Sequence, residues 1–299
     1  MGKILIAGGT GFIGKNLASY LVKNGYSVNV LAREAKGGSQ DIRYFKWSIE
    51  NNFIDTEAFE GVTKIINLTG ANISDKRWTA ERKKEILESR KRPLELIYKY
   101  IKENDFKIDT LISSSAVGYY GAVTTDTVFT EESLNGSDFL ATVCRQWEES
   151  ALQFEKIGIR TTILRKGLVI GRDGGIYKEL ARFAKWGVNT SVGSGKQYLP
   201  WIDIRDLVRL YNFILKNSEA RGIFNAVATE HMTMNELSKA MVNSFGKSSF
   251  LPNAPAFAIK LLFGEMSVMF LEGSGVSNRK IKEEGFHFEF DTIGKSLLN

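Results

Sequence analysis

The sequence predicts a doubly wound α/β fold, a parallel sheet with helices on both faces, extended by a smaller C-terminal substrate lobe. Three observations lead there. Short apolar, β-branched runs alternate with amphipathic stretches from the first residues to about Ala228, the pattern of repeated βαβ units. A glycine-rich turn, Gly8 to Gly14, joins the first such run to the first amphipathic stretch. Beyond Gly167 the alternation loosens, and glycines at Gly171, Gly174, Gly175, Gly187, Gly193 and Gly195 mark loops between shorter pieces, as in a lid or substrate lobe.

Taken in order, residues 3–7 form the first strand. Leu17, Ala18, Leu21 and Val22 then recur at helical spacing, and Asn24-Gly25 ends that helix before residues 27–32 resume as a strand. Further strands are expected at 42–47, 64–69, 109–114 and 160–164, with helices at about 79–103 and 138–156. Residues 203–216 return to a helix and 222–228 to a strand, and Thr233-Met234-Asn235-Glu236 is a capping-box pattern that opens another helix. Pro252 and Pro255 introduce an apolar stretch, 257–271, expected to be helical and buried. The boundary between the sheet domain, 1–228, and the C-terminal lobe, 229–299, is placed after the last strand, with part of the substrate lobe already beginning near 168.

Composition excludes several classes of function. The 299 residues are 43% hydrophobic and 25% charged, ordinary for a globular chain with a full core. No apolar run approaches the roughly 18 residues of a membrane span, and the chain enters its first strand directly from Met1-Gly2-Lys3, so a cytoplasmic protein is expected. The lone Cys144 excludes an internal disulfide, and His231 and His287, far apart, give no metal-ligand spacing. The net charge of +6 is densest in bases between Lys76 and Arg92. There Glu81, Glu85 and Glu88 interleave at helical spacing, which reads as a solvated helix face rather than a nucleic-acid surface.

The glycine turn carries the chemistry. In Gly8-Gly9-Thr10-Gly11-Phe12-Ile13-Gly14, immediately after a strand, Gly8 permits the tight turn, Gly11 lets the backbone approach a pyrophosphate, and Gly14 lets the helix pack closely. The phosphates would sit on the unpaired amides that open the helix. A chain that selects NAD usually ends its second strand in an acidic residue; here Ala32-Arg33 stands there. Arg33 favours a 2′-phosphate and hence NADP, although Glu34 beside it argues the other way.

These motifs resemble the extended short-chain dehydrogenase/reductases of Rossmann fold, and more closely the atypical branch labelled epimerase family protein, which has a distinctive C-terminal domain. The resemblance runs through Gly8 to Gly14, Asn67-Leu68-Thr69-Gly70, Arg77-Trp78, the run from Ser113 to Gly121, Asp138-Phe139-Leu140, Trp147-Glu148, Leu164 to Gly167, and Pro200 to Asp203. It continues in Leu271-Glu272-Gly273 and Gly285-Phe286-His287-Phe288. It implies a nicotinamide cofactor across the carboxyl ends of the strands. Leu68, Thr69 and Gly70 would flank its adenosine and phosphate side, Arg77 would touch phosphate or ribose, and Leu168 would lie beside the nicotinamide.

The resemblance also implies that Ser115 hydrogen-bonds a substrate carbonyl or hydroxyl. The superfamily's tyrosine, four residues before a lysine, is missing: registering Glu148 with the acidic residue that follows that pair puts Leu140 and Cys144 in their places, where core packing is the expected role. Tyr119 or Tyr120, in a glycine-bounded loop just after Ser115, is the candidate substitute. An ordinary tyrosine titrates near pH 10, so either needs a cation, for which Lys166 and Arg165 are at hand. Trp201 and Tyr198 line the substrate pocket or belong to the core, and Asp203 and Asp206 cap and charge the helix that follows. The expected activity is that of an NADP-dependent oxidoreductase or epimerase on a small polar carbonyl or hydroxyl compound, as monomer or homodimer. Retention of the glycine turn with loss of the base pair is equally what a non-catalytic NADP-binding sensor predicts.

Overall fold

The computed structural model describes residues 2–172, 174–249 and 251–298. Valine- and isoleucine-rich runs become β1 (Lys3–Ala7), β2 (Ser27–Ala32), β3 (Ile42–Ser48), β4 (Phe53–Ile54), β5 (Val62–Asn67), β6 (Thr110–Ala116), β7 (Arg160–Lys166), β8 (Leu168–Gly171), β9 (Trp201–Asp203) and β10 (Gly222–Ala226). Between them stand α1 (Phe12–Lys23), α2 (Ala80–Asn104), α3 (Phe139–Leu152), α4 (Gly175–Ala184) and α5 (Ile204–Lys216). The C-terminal part adds α6 (Met234–Ser244), α7 (Ala256–Phe263), α8 (Val268–Leu271), α9 (Arg279–Glu283) and α10 (Ile293–Leu298).

The main sheet runs β10-β7-β6-β5-β1-β2-β3-β4, parallel except where the short edge strand β4 meets β3. The strand order reverses beside β1, where β2 pairs on one side and β5 on the other, so the carboxyl ends of β1 and β5 open the crevice in which such sheets bind ligands. One face of the sheet buries Leu17, Leu21, Leu207 and Tyr211 of α1 and α5; the other buries Leu94, Ile97, Trp147 and Phe154 on the side of α2 and α3. A separate core under β8 and β9 joins Ile170, Leu180 and Trp201 to Leu237 and Met241 of α6 and to Leu297 of α10. The lobe is therefore assembled from two stretches of chain, one on each side of the expected boundary at 228.

Helix starts follow the residue types. Thr79 accepts from the Arg82 amide, Asp138 from Ala141, and Asp203 from Arg205, while Thr233 and Glu236 form the reciprocal capping box expected from the sequence. Two expectations fail. Residues 257–271 are not one buried helix: Gly264, at φ 59, breaks the run, a 3₁₀ turn over Gly264–Ser267 follows α7, and Phe257, Leu261 and Leu262 are 74, 77 and 64% exposed. Helix α7 lies on the surface and buries only Ile259, so one apolar stripe is used and the others face outward. Nor is the basic stretch of α2 wholly solvated, because Arg82 is buried and Arg90 stacks on the Trp147 ring at 5.1 Å. Among the described residues no helix is long and apolar enough to cross a membrane, and no group of three metal-ligating side chains occurs.

Candidate active site

The turn after β1 is shaped by its glycines in three different ways. Gly8 has φ 81, and a Cβ there would come within 2.9 Å of the Leu68 carbonyl carbon. A Cβ at Gly14 would come within 2.5 Å of the Gly8 carbonyl oxygen, so closeness of helix and turn requires glycine. Gly11 differs: a Cβ there would meet only the Gly8 carbonyl oxygen at 3.6 Å, an ordinary contact. The protein's own packing leaves room for a methyl at Gly11, and its bareness serves whatever lies against it. Gly11 is also the N-cap of α1, with no side-chain cap and no acidic residue in the first turn, so the amides of Phe12, Ile13 and Gly14 are available to an anion. The residues present fit a dinucleotide pyrophosphate.

The other predicted cofactor residues distribute around this turn. Thr10 is exposed, Ile13 packs on the core, and the Phe12 ring fits against Gly171 and Gly174, where a Cβ would come within 2.8 and 2.4 Å of it. Arg33 is exposed just past β2 with no ion pair among the described residues, whereas Glu34 pairs with Lys36 at 3.0 Å. Leu68 packs against the core, and the Thr69 hydroxyl and amide both donate to Asn67 Oδ1, at 2.7 and 3.3 Å. Gly70 lies against the Arg90 guanidinium. Arg77 donates to the Leu261 carbonyl at 3.2 Å, tying α7 to the segment before α2. Leu168 lines a cavity.

That cavity, of about 300 Å³, lies beyond the ends of β6 and β7. Its inner wall includes Arg90, Ala116, Cys144 and Lys166, and Tyr198, Met269 and Glu272 close it from the C-terminal lobe. The size is that of a small-molecule site.

The three residues expected to do proton chemistry do not converge on it. Side chains alternate along β6. Ser115 therefore turns inward, fully buried, and donates to Glu148 Oε1 at 2.6 Å. Arg165, in register with Ser115 on β7, donates Nε and Nη2 to the two oxygens of Glu148 at 2.9 Å each. Its Nη1 donates to Tyr120 Oη at 3.1 Å, and Tyr120 in turn donates to Asn225 Oδ1 at 2.6 Å. Burial pushes the Tyr120 phenol up to about 12, away from use as a base near neutrality. Tyr119 lies with its ring 3.3 Å from the Arg165 guanidinium carbon. Ser115 and both tyrosines thus belong to a network behind the cavity wall, and Tyr120 reaches the cavity only as part of its lining. Leu140 and Cys144 also line the cavity, and burial followed by the nearby Glu148 raises the Cys144 thiol to about 12.

Lys166 is what the cavity offers in their place. Its Nζ donates to Ser114 Oγ at 2.9 Å, and that hydroxyl also shares a hydrogen bond of 2.8 Å with Tyr211 Oη. Burial, and after it the Arg90 charge, brings the ammonium down to about 7, against a smaller opposing effect of Cys144. The sequence named Lys166 only as a cation for a tyrosine and did not single out Arg90 at all. The signal for Lys166 was its position at the carboxyl end of an apolar strand; for Arg90 there was none, since it stands among other bases on a helix.

Comparison with known proteins gives matches over nearly the whole chain. Residues 4–226 match the model of the NAD dependent epimerase/dehydratase family, and residues 254–299 match a domain of unknown function, DUF1731. The chain is 34% identical to the chloroplastic epimerase family protein SDR39U1 homolog of Arabidopsis thaliana, covering 98% of this chain and 85% of that protein. It is 31% identical to epimerase family protein ML0860 of Mycobacterium leprae, over 98% of this chain and 94% of that protein. Among solved structures it is similar to human epimerase family protein SDR39U1 with NADPH, at 26% identity and a TM-score of 0.85, covering 99% of this chain and 97% of that one.

Proposed function

The chain belongs to the NAD-dependent epimerase/dehydratase family, and from that membership we propose that it is an NADP-dependent oxidoreductase or epimerase acting on a small polar carbonyl or hydroxyl compound. The observation that carries the reading is Gly11, where packing within the protein leaves the backbone bare beside three uncapped helix amides. Gly8, Thr10, Gly11, Phe12, Ile13 and Gly14 form the pyrophosphate turn. Leu68, Thr69 and Gly70 wall the crevice, and Arg33 is free to meet a 2′-phosphate. The human relative's structure with NADPH supports the same choice of cofactor. The chemistry that NADP supplies when bound is acceptance or return of a hydride.

The chain's own residues then hold and move a proton. Lys166 lines the cavity, with its Nζ oriented by Ser114 and, through it, by Tyr211. An amine that titrates near neutrality is suited to give a proton to, or take one from, a substrate oxygen. Ser115, Tyr119 and Tyr120 act at one remove, as positioning residues that fix Arg165 and Glu148 behind that wall.

Leu140 and Cys144 at the places of the usual tyrosine and lysine favour a second reading, a non-catalytic NADP-binding sensor. Titration of purified protein with NADPH and NADH, followed by a screen of aldehydes, ketones and alcohols for cofactor absorbance changes, separates the readings. Turnover that is lost in Lys166→Met while NADPH still binds supports the enzyme. Tight NADPH binding without turnover supports the sensor, and absence of binding overturns both.

A further inference from the structure

We infer that the cavity is built for a substrate bearing a carboxylate or similar anionic oxygen, held between Arg90 of α2 and Lys166 of β7; this rests on the reading of the crevice as an NADP-binding active site. Both side chains line the same cavity and neither has a carboxylate partner among the described residues. The Arg90 guanidinium donates to the backbone carbonyls of Ile86 and Ala71, at 2.8 and 3.1 Å, and lies over the Trp147 ring. That fork is fixed by packing before any ligand arrives, and fixed planar donors are what carboxylate recognition uses.

The neighbouring carboxylates do not neutralise the pair. Glu148 is bound by Arg165 and Ser115 on the far side of the wall. Glu272, which does line the cavity, accepts from Thr124 Oγ1 at 2.5 Å, forms no ion pair with Arg90 or Lys166 among the described residues, and is not one of the charges that act on Lys166. Two partly buried cations facing one apolar cavity repel each other, and burying charge without a counter-charge is costly. An anion between them removes that cost. It also keeps Lys166 protonated while the substrate is present, so that the proton is in place when the substrate oxygen needs it.

The test is a matched pair of probes on the wild-type protein saturated with NADPH. Oxamate carries a carboxylate next to a carbonyl, and oxamide replaces that carboxylate by a neutral amide of nearly the same shape. By calorimetry, oxamate is expected to bind at least about tenfold more tightly than oxamide, the difference a charge-assisted hydrogen bond makes. Arg90→Gln should abolish that preference and Arg90→Lys should restore part of it, with NADPH affinity unchanged in both. Equal binding of the two probes, or binding of neither to protein that holds NADPH, overturns the inference while leaving the cofactor reading intact. Loss of NADPH affinity in Arg90→Gln, with the oxamate preference kept, assigns Arg90 to the cofactor and overturns it as well. Protein that takes up no NADPH fails the cofactor reading itself, which the initial NADPH titration registers before either probe is added.

Discussion

The Nζ of Lys166 lies 2.9 Å from the Oγ of Ser114, one residue before the serine whose hydroxyl goes to Glu148. Burial, aided by Arg90, holds this ammonium at about 7 against an ordinary 10.5, with Cys144 as the other titratable neighbour. Between those values the unfolded chain binds the proton that the folded chain has released, so stability rises with pH through that window. Below about 7 both states are protonated and the cost of enclosing the charge stands in full. The melting temperature of the wild type should therefore climb from pH 7 toward pH 10 relative to Lys166→Met. Parallel curves for the two proteins would show that Lys166 is not perturbed.

The two glycines of the turn should separate cofactor binding from folding. Gly11→Ala meets no clash within the protein and should melt within a few degrees of wild type, yet weaken NADPH by about tenfold or more as the methyl meets the pyrophosphate. Gly14→Ala drives a Cβ to 2.5 Å from the Gly8 carbonyl oxygen and should destabilise by roughly 1–3 kcal/mol, the range of an overpacked site. Calorimetry and thermal melts on both variants decide it. An NADPH affinity unaffected by Gly11→Ala would remove the pyrophosphate from this turn.

Glu148 should prove structural. Its carboxylate takes two hydrogen bonds from Arg165 and one from Ser115 at a site where the Arg165 side chain is 1% and that of Glu148 5% exposed. Glu148→Ala leaves the Arg165 charge unpaired and should cost about 3–5 kcal/mol of stability. Ser115→Ala removes one hydrogen bond and should cost about 1–2 kcal/mol, with NADPH affinity kept. If Ser115→Ala instead melts like wild type and loses turnover, Ser115 touches the substrate and its burial here is not the working geometry.

What the sequence revealed and what it hid follow from the range of the interactions. The sheet domain was legible because Leu17, Leu21 and their equivalents repeat at the period of their own element, and the glycine turn because strand, turn and helix are contiguous. The direction of Ser115 was not, since one residue of register on β6 decides whether a hydroxyl meets Tyr211 on one face or Glu148 on the other. Arg90 and Lys166 come together only when residues 76 positions apart fold to one cavity. The apolar run from 257 misled because hydrophobicity records what can be buried; Phe257, Leu261 and Leu262 remain exposed.

The choice between NADP and NAD turns on Arg33, and the structure sharpens how to test it. Glu34, the neighbour that argued for a ribose hydroxyl, is paired with Lys36, while Arg33 stands exposed without an ion pair among the described residues. An exposed cation meeting a dianionic phosphate makes a charge-assisted contact worth about 1.5–3 kcal/mol. Arg33→Ala should therefore lower NADPH affinity about tenfold to a hundredfold and leave NADH affinity unchanged, collapsing the preference between them. Because the contact is solvent-exposed, the wild-type preference should also shrink as salt is raised from 50 to 500 mM, at ionic strengths where the screening length falls below about 10 Å. A preference insensitive to both the substitution and the salt would mean that the 2′-phosphate is read elsewhere, by a group that sequence position did not reveal.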